Sequence, residues 1–266
     1  MNTPSSVRRP VFLSIFSALV FAFIYLPILV LVVYSFNRDG VGGFPPRHFT
    51  FYWYRQLASD SSLWNSVLNS LFVAAGAVLV SLTLGLLAAL ALDRSDFPGK
   101  ALFRRLVLLP LILPGIITGL SLLMFAVSVG LGRGLTAVFF GHGTALISVA
   151  TTEIFAGLQK LDRRQEEASL DLGATPWRTF WRVTLPNLRL SLIAAGLLIF
   201  TLSMDEIAVT FFLIGSDNTL PQEIWARLRR GITPEINAIS TLILLVSIAL
   251  ITVWYHLRTR SERAVS

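Results

Sequence analysis

Long uncharged runs of apolar residues constrain this chain more than any other feature. Two of them, 10–37 and 61–92, contain no Asp, Glu, Lys or Arg. A helix needs about 20 apolar residues to cross a bilayer, and only helices or closed barrels satisfy their backbone polar groups there. Composition agrees, because 14% of the residues are charged against about 25% in soluble domains. The sequence therefore predicts an all-α membrane protein.

Six apolar segments follow one another along the chain, which predicts six transmembrane helices. They lie within 10–37, 61–92, 106–132, 135–158, 190–214 and 236–256. Pro110, Pro114 and Gly115 fall in the third segment and predict a kink or a break there. The predicted organisation is an N-terminal segment at 1–10, a single six-helix transmembrane domain at 11–260 and a tail at 261–266. Within the domain, polar helices at about 163–185 are predicted to lie outside the membrane.

The basic residues predict how these helices are oriented. An even number of spans puts both termini on one side of the membrane, and 15 of the 22 Lys and Arg residues lie on that side. Cytoplasmic loops carry the excess of Lys and Arg, so both termini are predicted to be cytoplasmic. The net charge of +7 is explained by this asymmetry, and no nucleic-acid partner is predicted.

The sequence shows no pattern typical of a catalytic or metal site. Cysteine is absent, so disulfides and thiolate metal ligands are excluded. There is no phosphate-binding glycine loop, no nucleophile–base pair and no metal-ligand cluster. The sequence therefore predicts no catalytic, cofactor-binding or metal-binding residues.

A polar segment at 163–186 separates the fourth and fifth apolar runs. Residues 163–172 are rich in helix-forming Arg, Gln, Glu, Ala and Leu, and Gly173 can end that helix in a left-handed conformation. Thr175 and Pro176 predict the cap and first residue of a second helix. This second helix is expected to end near Thr184, before Pro186. The orientation places the segment in the cytoplasm.

This segment resembles the EAA signature of ABC-importer permeases. That pattern is Glu-Ala-Ala, three residues, Gly, nine residues, an aliphatic residue, one residue and Leu-Pro. Here it reads Glu167-Ala168-Ser169, Gly173 and Val183-x-Leu185-Pro186, with every spacing kept. Ser169 replaces the second Ala and Val183 the usual Ile. We call 163–186 the EAA segment.

The resemblance implies that the EAA segment docks on a cytoplasmic ATPase and couples ATP hydrolysis to transport. Helix–groove contacts use small residues and apolar anchors. The residues expected to carry the coupling are Glu167, Ala168, Ser169, Leu170, Gly173, Trp177, Leu185 and Pro186, with Leu172 as a further apolar anchor. Two plainer roles stay open. Glu167 could pair with Arg163 on the same helix or be solvated, and Gly173 could be a simple helix cap.

Two acidic residues, Asp205 and Glu206, fall inside the fifth apolar segment. Ionisable groups within a span are costly and usually face a cavity or a partner. On a continuous helix adjacent residues point about 100° apart, so one carboxylate at most would line a path fully. They could attract a cation, pair with an Arg or cap a broken helix. His142 could line the path or form a helix-packing contact. The predicted substrate path comprises Asp205, Glu206, His142 and Pro114.

The chain also resembles the second permease subunit of spermidine/putrescine ABC importers. The residues that carry this likeness are 200–206, Leu220-Pro221, Ile224-Trp225 and 231–238. The resemblance implies a MetI-like ABC importer permease fold, in a multi-pass subunit of the bacterial inner membrane that translocates putrescine or spermidine. The implied partners are an ATPase dimer, which binds the ATP, a second homologous permease, a periplasmic substrate-binding protein and the lipid bilayer. No cofactor is expected on this chain itself.

Two departures from the family pattern leave the substrate open. Gly115 follows Pro114 where an acid is usual, and Glu206 stands where an Asp is usual. The same importer architecture for another small solute is therefore an alternative. A multi-span membrane enzyme or scaffold subunit is an alternative from another class, although no catalytic cluster supports it. A secondary transporter leaves the polar EAA segment unexplained.

Overall fold

The computed structural model describes residues 11–38, 48–231 and 233–263. Within these ranges the chain is helical, with no β-structure beyond one antiparallel bridge between Asn37 and Phe49. The predicted N-terminal segment at 1–10 and the last three residues of the predicted tail lie outside the described residues. The helices are α1 (Val11–Tyr34), α2 (Tyr52–Ala58), α3 (Ser61–Arg94), α4 (Lys100–Ile112), α5 (Gly115–Ser128), α6 (Leu135–Ala145), α7 (Ile147–Lys160), α8 (Arg164–Asp171), α9 (Pro176–Thr179), α10 (Leu185–Met204), α11 (Ala208–Leu213), α12 (Leu220–Arg230) and α13 (Pro234–Arg263).

Several of these helices are long and apolar enough to cross a membrane. Four qualify among the described residues: Phe12–Tyr34, Ser61–Arg94, Leu135–Lys160 and Pro176–Met204. The pair α4 and α5 makes a fifth if the two are counted as one bent span, and α13 contributes a shorter apolar stretch, Pro234–Ala249. The prediction of an all-α, multi-pass membrane protein is confirmed.

The third predicted span is broken, as its prolines indicated. The axes of α4 and α5 meet at 111°. Leu113, at the end of α4, is extended with φ −72° and ψ 136°, because the ring of Pro114 disfavours a helical residue before it. Pro114 then stands at the N-terminus of α5.

The chain divides into two units, one formed by 61–225 and the other by 1–60 with 226–266. In the second of these, α13 packs against α1 and α2. Buried Arg227 binds Asp60, with Nη2 to Oδ2 at 2.7 Å, and also pairs with Glu235. This ion-paired arginine joins the first turn of α13 to Asp60, which lies two residues after the end of α2.

In the unit 61–225, α3 is the central helix and packs against α6, α7 and α10. Three of its buried side chains, those of Val73, Ala77 and Ala89, belong to two apolar clusters. One joins α3, α7 and α10 and consists of Ala77, Ala89, Val149, Ala150, Ile154, Leu158, Leu188, Ala195 and Ile199. The other joins α3, α5, α6 and the α11 region and consists of Val73, Ala126, Ala137, Val138, Val209, Leu213 and Ile214. Many members are small, which lets helix backbones approach closely where lipid supplies no hydrophobic driving force.

The prediction that the second helix of the EAA segment ends before Pro186 is wrong. The helix runs without a stop from Pro176 to Met204, because a π-helical turn at Phe180–Thr184 connects α9 to α10. In a π-helical turn a carbonyl bonds to the N–H five residues ahead. A proline has no N–H to donate. When it lies four residues after a carbonyl of the π-helical turn, that carbonyl loses no hydrogen bond, because it bonds one residue further along. The helix that contains the fifth predicted span therefore begins well before the predicted start near Leu190.

Candidate functional site

The turn after α8 has the geometry predicted for Gly173. Gly173 has φ +80°, a region that glycine adopts without steric cost. Its N–H donates to the carbonyl oxygen of Leu170 at 2.9 Å, and the N–H of Ala174 donates to the carbonyl oxygen of Ser169 at 3.1 Å. These two bonds form a Schellman motif. The motif fixes the angle at which the chain leaves α8.

The start of α9 is also as predicted. The Thr175 hydroxyl accepts a hydrogen bond from the N–H of Arg178 at 3.3 Å, and Pro176 is the first helical residue. A further bond joins the hydroxyls of Ser169 and Thr179 at 3.0 Å. The alanine that is usual at position 169 would lack this link, so Ser169 adds a contact between α8 and α9.

Most of the predicted coupling residues lie at the surface of the EAA segment. The side chains of Leu172 and Trp177 are 89% and 71% exposed. Glu167, Ala168, Leu170 and Pro186 are also exposed, whereas Ser169 and Leu185 are half-buried. An open groove of about 470 Å³ runs beside them, lined in part by Ala168, Leu172 and Arg178. The segment thus offers apolar anchors and a concave surface side by side.

The alternative pairing of Glu167 with Arg163 is not formed. Arg163 instead reaches the end of α3, where its Nη2 lies 3.2 Å from Oδ2 of Asp93. Among the described residues, none forms an ion pair or a side-chain hydrogen bond with Glu167. Its carboxylate is therefore exposed to solvent.

The neighbouring Glu166 is a residue of the candidate site that sequence reasoning missed. Glu166 is buried, with 5% of its surface exposed. Its carboxylate accepts hydrogen bonds from both terminal nitrogens of Arg94, with Nη2 to Oε1 at 2.7 Å, and from the hydroxyl of Thr184. One signal was present, since Glu166 lies three residues before Ser169 and shares the helix face that meets α9.

The contacts of Glu166 set its charge. Burial alone would raise the pKa of the Glu166 carboxyl. The hydrogen bonds from Arg94 and Thr184, together with the charge of Arg94, lower this pKa by more than burial raises it. The result is a pKa below the ordinary value of 4.5. Glu166 is therefore ionised at neutral pH, and its burial is compensated by paired donors.

A second carboxylate, that of Asp93, binds residues at the ends of three helices beside the Glu166–Arg94 pair. Its Oδ1 accepts a hydrogen bond from Nε2 of Gln159 at 2.6 Å, and its Oδ2 lies 2.9 Å from Nε of Arg94. Arg163 completes the set. The ends of α3 and α7 are thereby joined to the start of α8, so the EAA segment is attached to the helix core by charged hydrogen bonds.

The prediction that Asp205 and Glu206 lie on one continuous helix is wrong. Helix α10 ends at Met204, and α11 begins at Ala208. Asp205 is exposed, whereas Glu206 is half-buried. Oε1 of Glu206 accepts a hydrogen bond from the N–H of Val209 at 2.8 Å. Glu206 therefore caps the second half of a broken helix, which was one of the roles left open for the pair.

The two breaks of the helix core lie next to each other. Helix α11 packs along α5, and a Cβ added at Gly115 would lie 3.8 Å from Oε1 of Glu206. A Cβ at Gly119 would lie 3.0 Å from Cα of Val209. This absence of side chains lets the two half-helices touch through their backbones. Pro114, which precedes Gly115, thus lies at the same break as Glu206, and the role of these residues in a substrate path stays a prediction.

His142 is buried, with 2% of its surface exposed. Its Nδ1 lies 2.8 Å from the hydroxyl of Ser203, and its Nε2 lies 2.9 Å from that of Thr210. His142 therefore forms an interhelical contact, one of its two predicted roles. It also borders, with Glu206, a small cavity of about 20 Å³. Nowhere in the described part of the chain do three or more His, Cys, Asp or Glu residues gather to hold a metal.

Comparison with known proteins decides which family this geometry belongs to. Residues 81–266 match the family model of the binding-protein-dependent transport system inner membrane component. The chain belongs to this family. It is therefore a membrane subunit of a transport system and not an enzyme, as the EAA pattern predicted.

Curated relatives match over almost the whole chain. The putrescine transport system permease protein PotI of Escherichia coli K12 is 37% identical, covering 99% of this chain and 96% of the relative. The spermidine/putrescine transport system permease protein PotC of Haemophilus influenzae is 32% identical, covering 89% and 92%. The resemblance to this group of permeases is confirmed.

Solved structures show the same fold. A bacterial ABC transporter involved in the import of the acidic polysaccharide alginate matches with a TM-score of 0.68 at 18% identity, covering 97% of this chain and 99% of that one. The MetNI methionine ABC transporter in an inward-facing conformation matches with a TM-score of 0.55 at 19% identity, covering 77% and 94%. The helix arrangement is therefore that of ABC importer permeases, including the MetI-like fold.

Proposed function

We propose that this chain is a permease subunit of an ATP-driven ABC importer for putrescine or spermidine in a bacterial inner membrane. The observation that carries the proposal is the 37% identity to a putrescine permease over 99% of the chain. ATP binds to a partner ATPase dimer. A second homologous permease completes the membrane path, a periplasmic binding protein delivers the substrate, and this chain binds no cofactor.

The proposed topology has six spans with both termini in the cytoplasm. The spans are α1, α3, the α4–α5 pair, the α6–α7 pair, the continuous helix that ends at Met204, and α13. The residues 11–260 form the single transmembrane domain of the permease. The excess of Lys and Arg on the side of the termini supports this orientation, which places the EAA segment in the cytoplasm.

Coupling to the ATPase runs through the exposed face of the EAA segment. Leu172 and Trp177 offer apolar anchors, and the exposed carboxylate of Glu167 is free to meet a basic group of the partner. Inside the chain, the pair of Glu166 with Arg94 connects that face to α3. A displacement imposed by the ATPase is then passed to the core helix, which favours alternating access by movement of packed helices.

The path for the cation passes the break between α10 and α11. Asp205 is exposed there, at the C-terminus of a 20-residue helix. The carbonyls at a helix C-terminus carry a partial negative charge that favours cations. Asp205 therefore offers the carboxylate for an ammonium group, and Glu206 shapes the break through its cap.

Uptake of radiolabelled putrescine and spermidine tests the proposal. Cells that lack this chain are compared with cells complemented by it, with all partner subunits present. We expect uptake to return with the wild-type chain and to vanish with Gly173→Asp, although the variant still inserts in the membrane. Normal uptake of either polyamine by cells with a well-expressed Gly173→Asp chain would contradict a coupling role for the EAA segment.

Purification in mild detergent tests the partners. A tagged chain is expected to bring an ATPase and a second permease with it. A chain that purifies alone, with transport intact, contradicts the assembly.

An importer for another small solute is the second candidate. Gly115 lies beside Glu206 at the break, where the polyamine permease pattern carries an acid. The path therefore has less negative charge than that pattern. Uptake of a neutral or zwitterionic solute in place of both polyamines would favour this candidate.

A further inference from the structure

The break between α10 and α11 is bridged by one buried side chain from a third helix. His142 of α6 binds Ser203, in the last turn of α10, through Nδ1 at 2.8 Å. It binds Thr210 of α11 through Nε2 at 2.9 Å. The imidazole thus connects the two halves of the broken span across the residues that carry Asp205 and Glu206.

Burial among apolar residues favours the neutral imidazole, and for a neutral ring one arrangement of protons satisfies all the contacts of this bridge. The hydroxyl of Thr210 also lies 3.0 Å from the carbonyl oxygen of Glu206, which can only accept. Thr210 has a single O–H, so it donates to Glu206 and accepts from His142. His142 therefore carries its proton on Nε2, and its bare Nδ1 accepts the proton of Ser203.

The chain of bonds has a direction that ends at the acidic pair. It runs from the Ser203 O–H to His142, from His142 to Thr210, and from Thr210 to the backbone of Glu206. The side chain of Gln222 donates to the next carbonyl, that of Ile207, at 2.8 Å. Within a membrane these carbonyls have no water to bind, so protein donors must satisfy them.

Little water could enter this region to replace the hydrogen bonds of His142. The cavity beside His142 has a volume of about 20 Å³, which is enough for about one water molecule. The other residues around it are largely apolar. An unmade hydrogen bond at this break would leave a polar group unpaired in an apolar site.

We infer that His142, as the neutral Nε2–H tautomer, is a positioning residue that bridges α10 and α11 and holds Asp205 and Glu206 in place for the transported cation. The inference rests on the proposed function. In this inference His142 supports the two half-helices from behind the acidic pair, and Asp205 contacts the substrate.

Isosteric changes of Thr210 test the bridge without removing His142. Thr210→Val keeps the shape and removes the hydroxyl, whereas Thr210→Ser keeps the hydroxyl. The complete complex is reconstituted in proteoliposomes with putrescine-loaded binding protein, and both uptake and ATP hydrolysis are measured. We expect Thr210→Val to lower putrescine uptake per ATP by about tenfold, as for one lost buried hydrogen bond. Thr210→Ser should stay within about twofold of wild type.

Wild-type uptake per ATP in Thr210→Val would overturn the inference. Equal losses in Thr210→Val and Thr210→Ser would overturn it as well, because the methyl group would then matter and the hydroxyl would not. Ser203→Ala, on the other side of the imidazole, is expected to reproduce the loss.

A spectroscopic measurement tests the tautomer independently of any solute. The chain has 3 His residues, so ¹⁵N-histidine labelling of the complete complex in lipid nanodiscs gives few signals, and His142→Gln assigns one by its loss. We expect the signature of a protonated Nε2 and a bare Nδ1 at neutral pH. An imidazolium or a protonated Nδ1 would overturn the assigned tautomer and with it the inference. A wild-type complex that shows the expected tautomer but imports neither polyamine would overturn the proposed function alone.

Discussion

Glu166 and Arg94 are 72 positions apart in the chain and form a bidentate ion pair. Glu166 belongs to α8 of the EAA segment, and Arg94 is the last residue of the long helix α3. A fork of two parallel N–H···O bonds fixes the angle between its partners as well as their distance. The EAA segment is therefore held rigidly to the central helix, although α8 has few buried residues of its own.

Removing one partner of this pair should cost more than removing both. Arg94→Met leaves the Glu166 carboxylate buried without its main donor. We expect a loss of about 3 kcal/mol in the free energy of unfolding, the low end for a broken buried pair, because the Arg94 side chain is 32% exposed. The double variant Arg94→Met with Glu166→Gln should lose less than Arg94→Met alone. Unfolding in detergent measures both, and strictly additive losses contradict the prediction.

The same pair should weaken in acid. The pKa of Glu166 is lowered in the folded chain below 4.5, so its contribution is fully present above about pH 4.5 and is lost as the pH falls through the folded value. We expect the melting temperature of wild type to exceed that of Glu166→Gln at pH 7, and the gap to shrink below pH 4.5. A gap that does not change with pH would show that the charge of Glu166 does not stabilise the fold.

Gly173 allows the turn and the docking surface to be tested separately. A Cβ added there would meet no atom within 4 Å, but φ is +80°. Asn tolerates this conformation, whereas Val strains it by about 1–2 kcal/mol. We expect Gly173→Val to lower both the stability and ATP-coupled uptake. Gly173→Asn should keep the stability, so any loss of its uptake reports on space that the ATPase requires.

Gly119 should resist even the smallest enlargement. A Cβ there would lie 2.8 Å from Cδ2 of Phe212 and 3.1 Å from the carbonyl oxygen of Ala208. We expect Gly119→Ala to destabilise the fold by about 1–3 kcal/mol, as overpacking does. Gly196→Ala is the matched control, since its Cβ would meet ordinary contacts at 3.4 and 3.7 Å. A Gly119→Ala chain as stable as the control would contradict the close packing of α5 and α11.

The two acids should respond differently to loss of charge. Asp205 is exposed at the break, whereas Glu206 caps α11 through one oxygen that an amide also provides. We expect Asp205→Asn to reduce uptake of putrescine strongly, and Glu206→Gln to change the melting temperature little. Glu206→Ala, which removes the cap, should cost about 1 kcal/mol. If Glu206→Gln abolishes uptake while Asp205→Asn is silent, the roles are reversed.

Local signals predicted the turns of the EAA segment correctly. Gly173, Thr175 and Pro176 each act through the conformation of their own residue, so their neighbours in sequence suffice to predict it. The break at Pro114 was predictable for the same reason. Long apolar runs predicted the spanning helices because hydropathy sums over many residues.

Contacts between distant residues could not be predicted from one sequence. The roles of Glu166 and Glu167 depend on which face of α8 meets Arg94, 72 positions earlier. The break after Met204 depends on Thr210 and Gln222, which donate hydrogen bonds to the carbonyls of Glu206 and Ile207. No local breaker residue marks the site. Pro186 led to a wrong prediction of a helix end. A proline usually stops a helix, but the π-helical turn before it removes that effect, and the sequence signal for such a turn is weak.

That π-helical turn also sets a rotational phase. The continuous helix from Pro176 to Met204 has 29 residues and is about 43 Å long. Each residue of an α-helix turns the chain by about 100°, whereas a π-helical turn holds one extra residue in its hydrogen-bonded ring. Deleting one residue at 180–184 would therefore let the turn return to α-helix and keep Trp177 near its present side relative to Ser203, but the same deletion elsewhere in the helix would rotate Trp177 by about 100°. The π-helical turn thus takes up one residue of length while it preserves the orientation of Trp177 relative to the break.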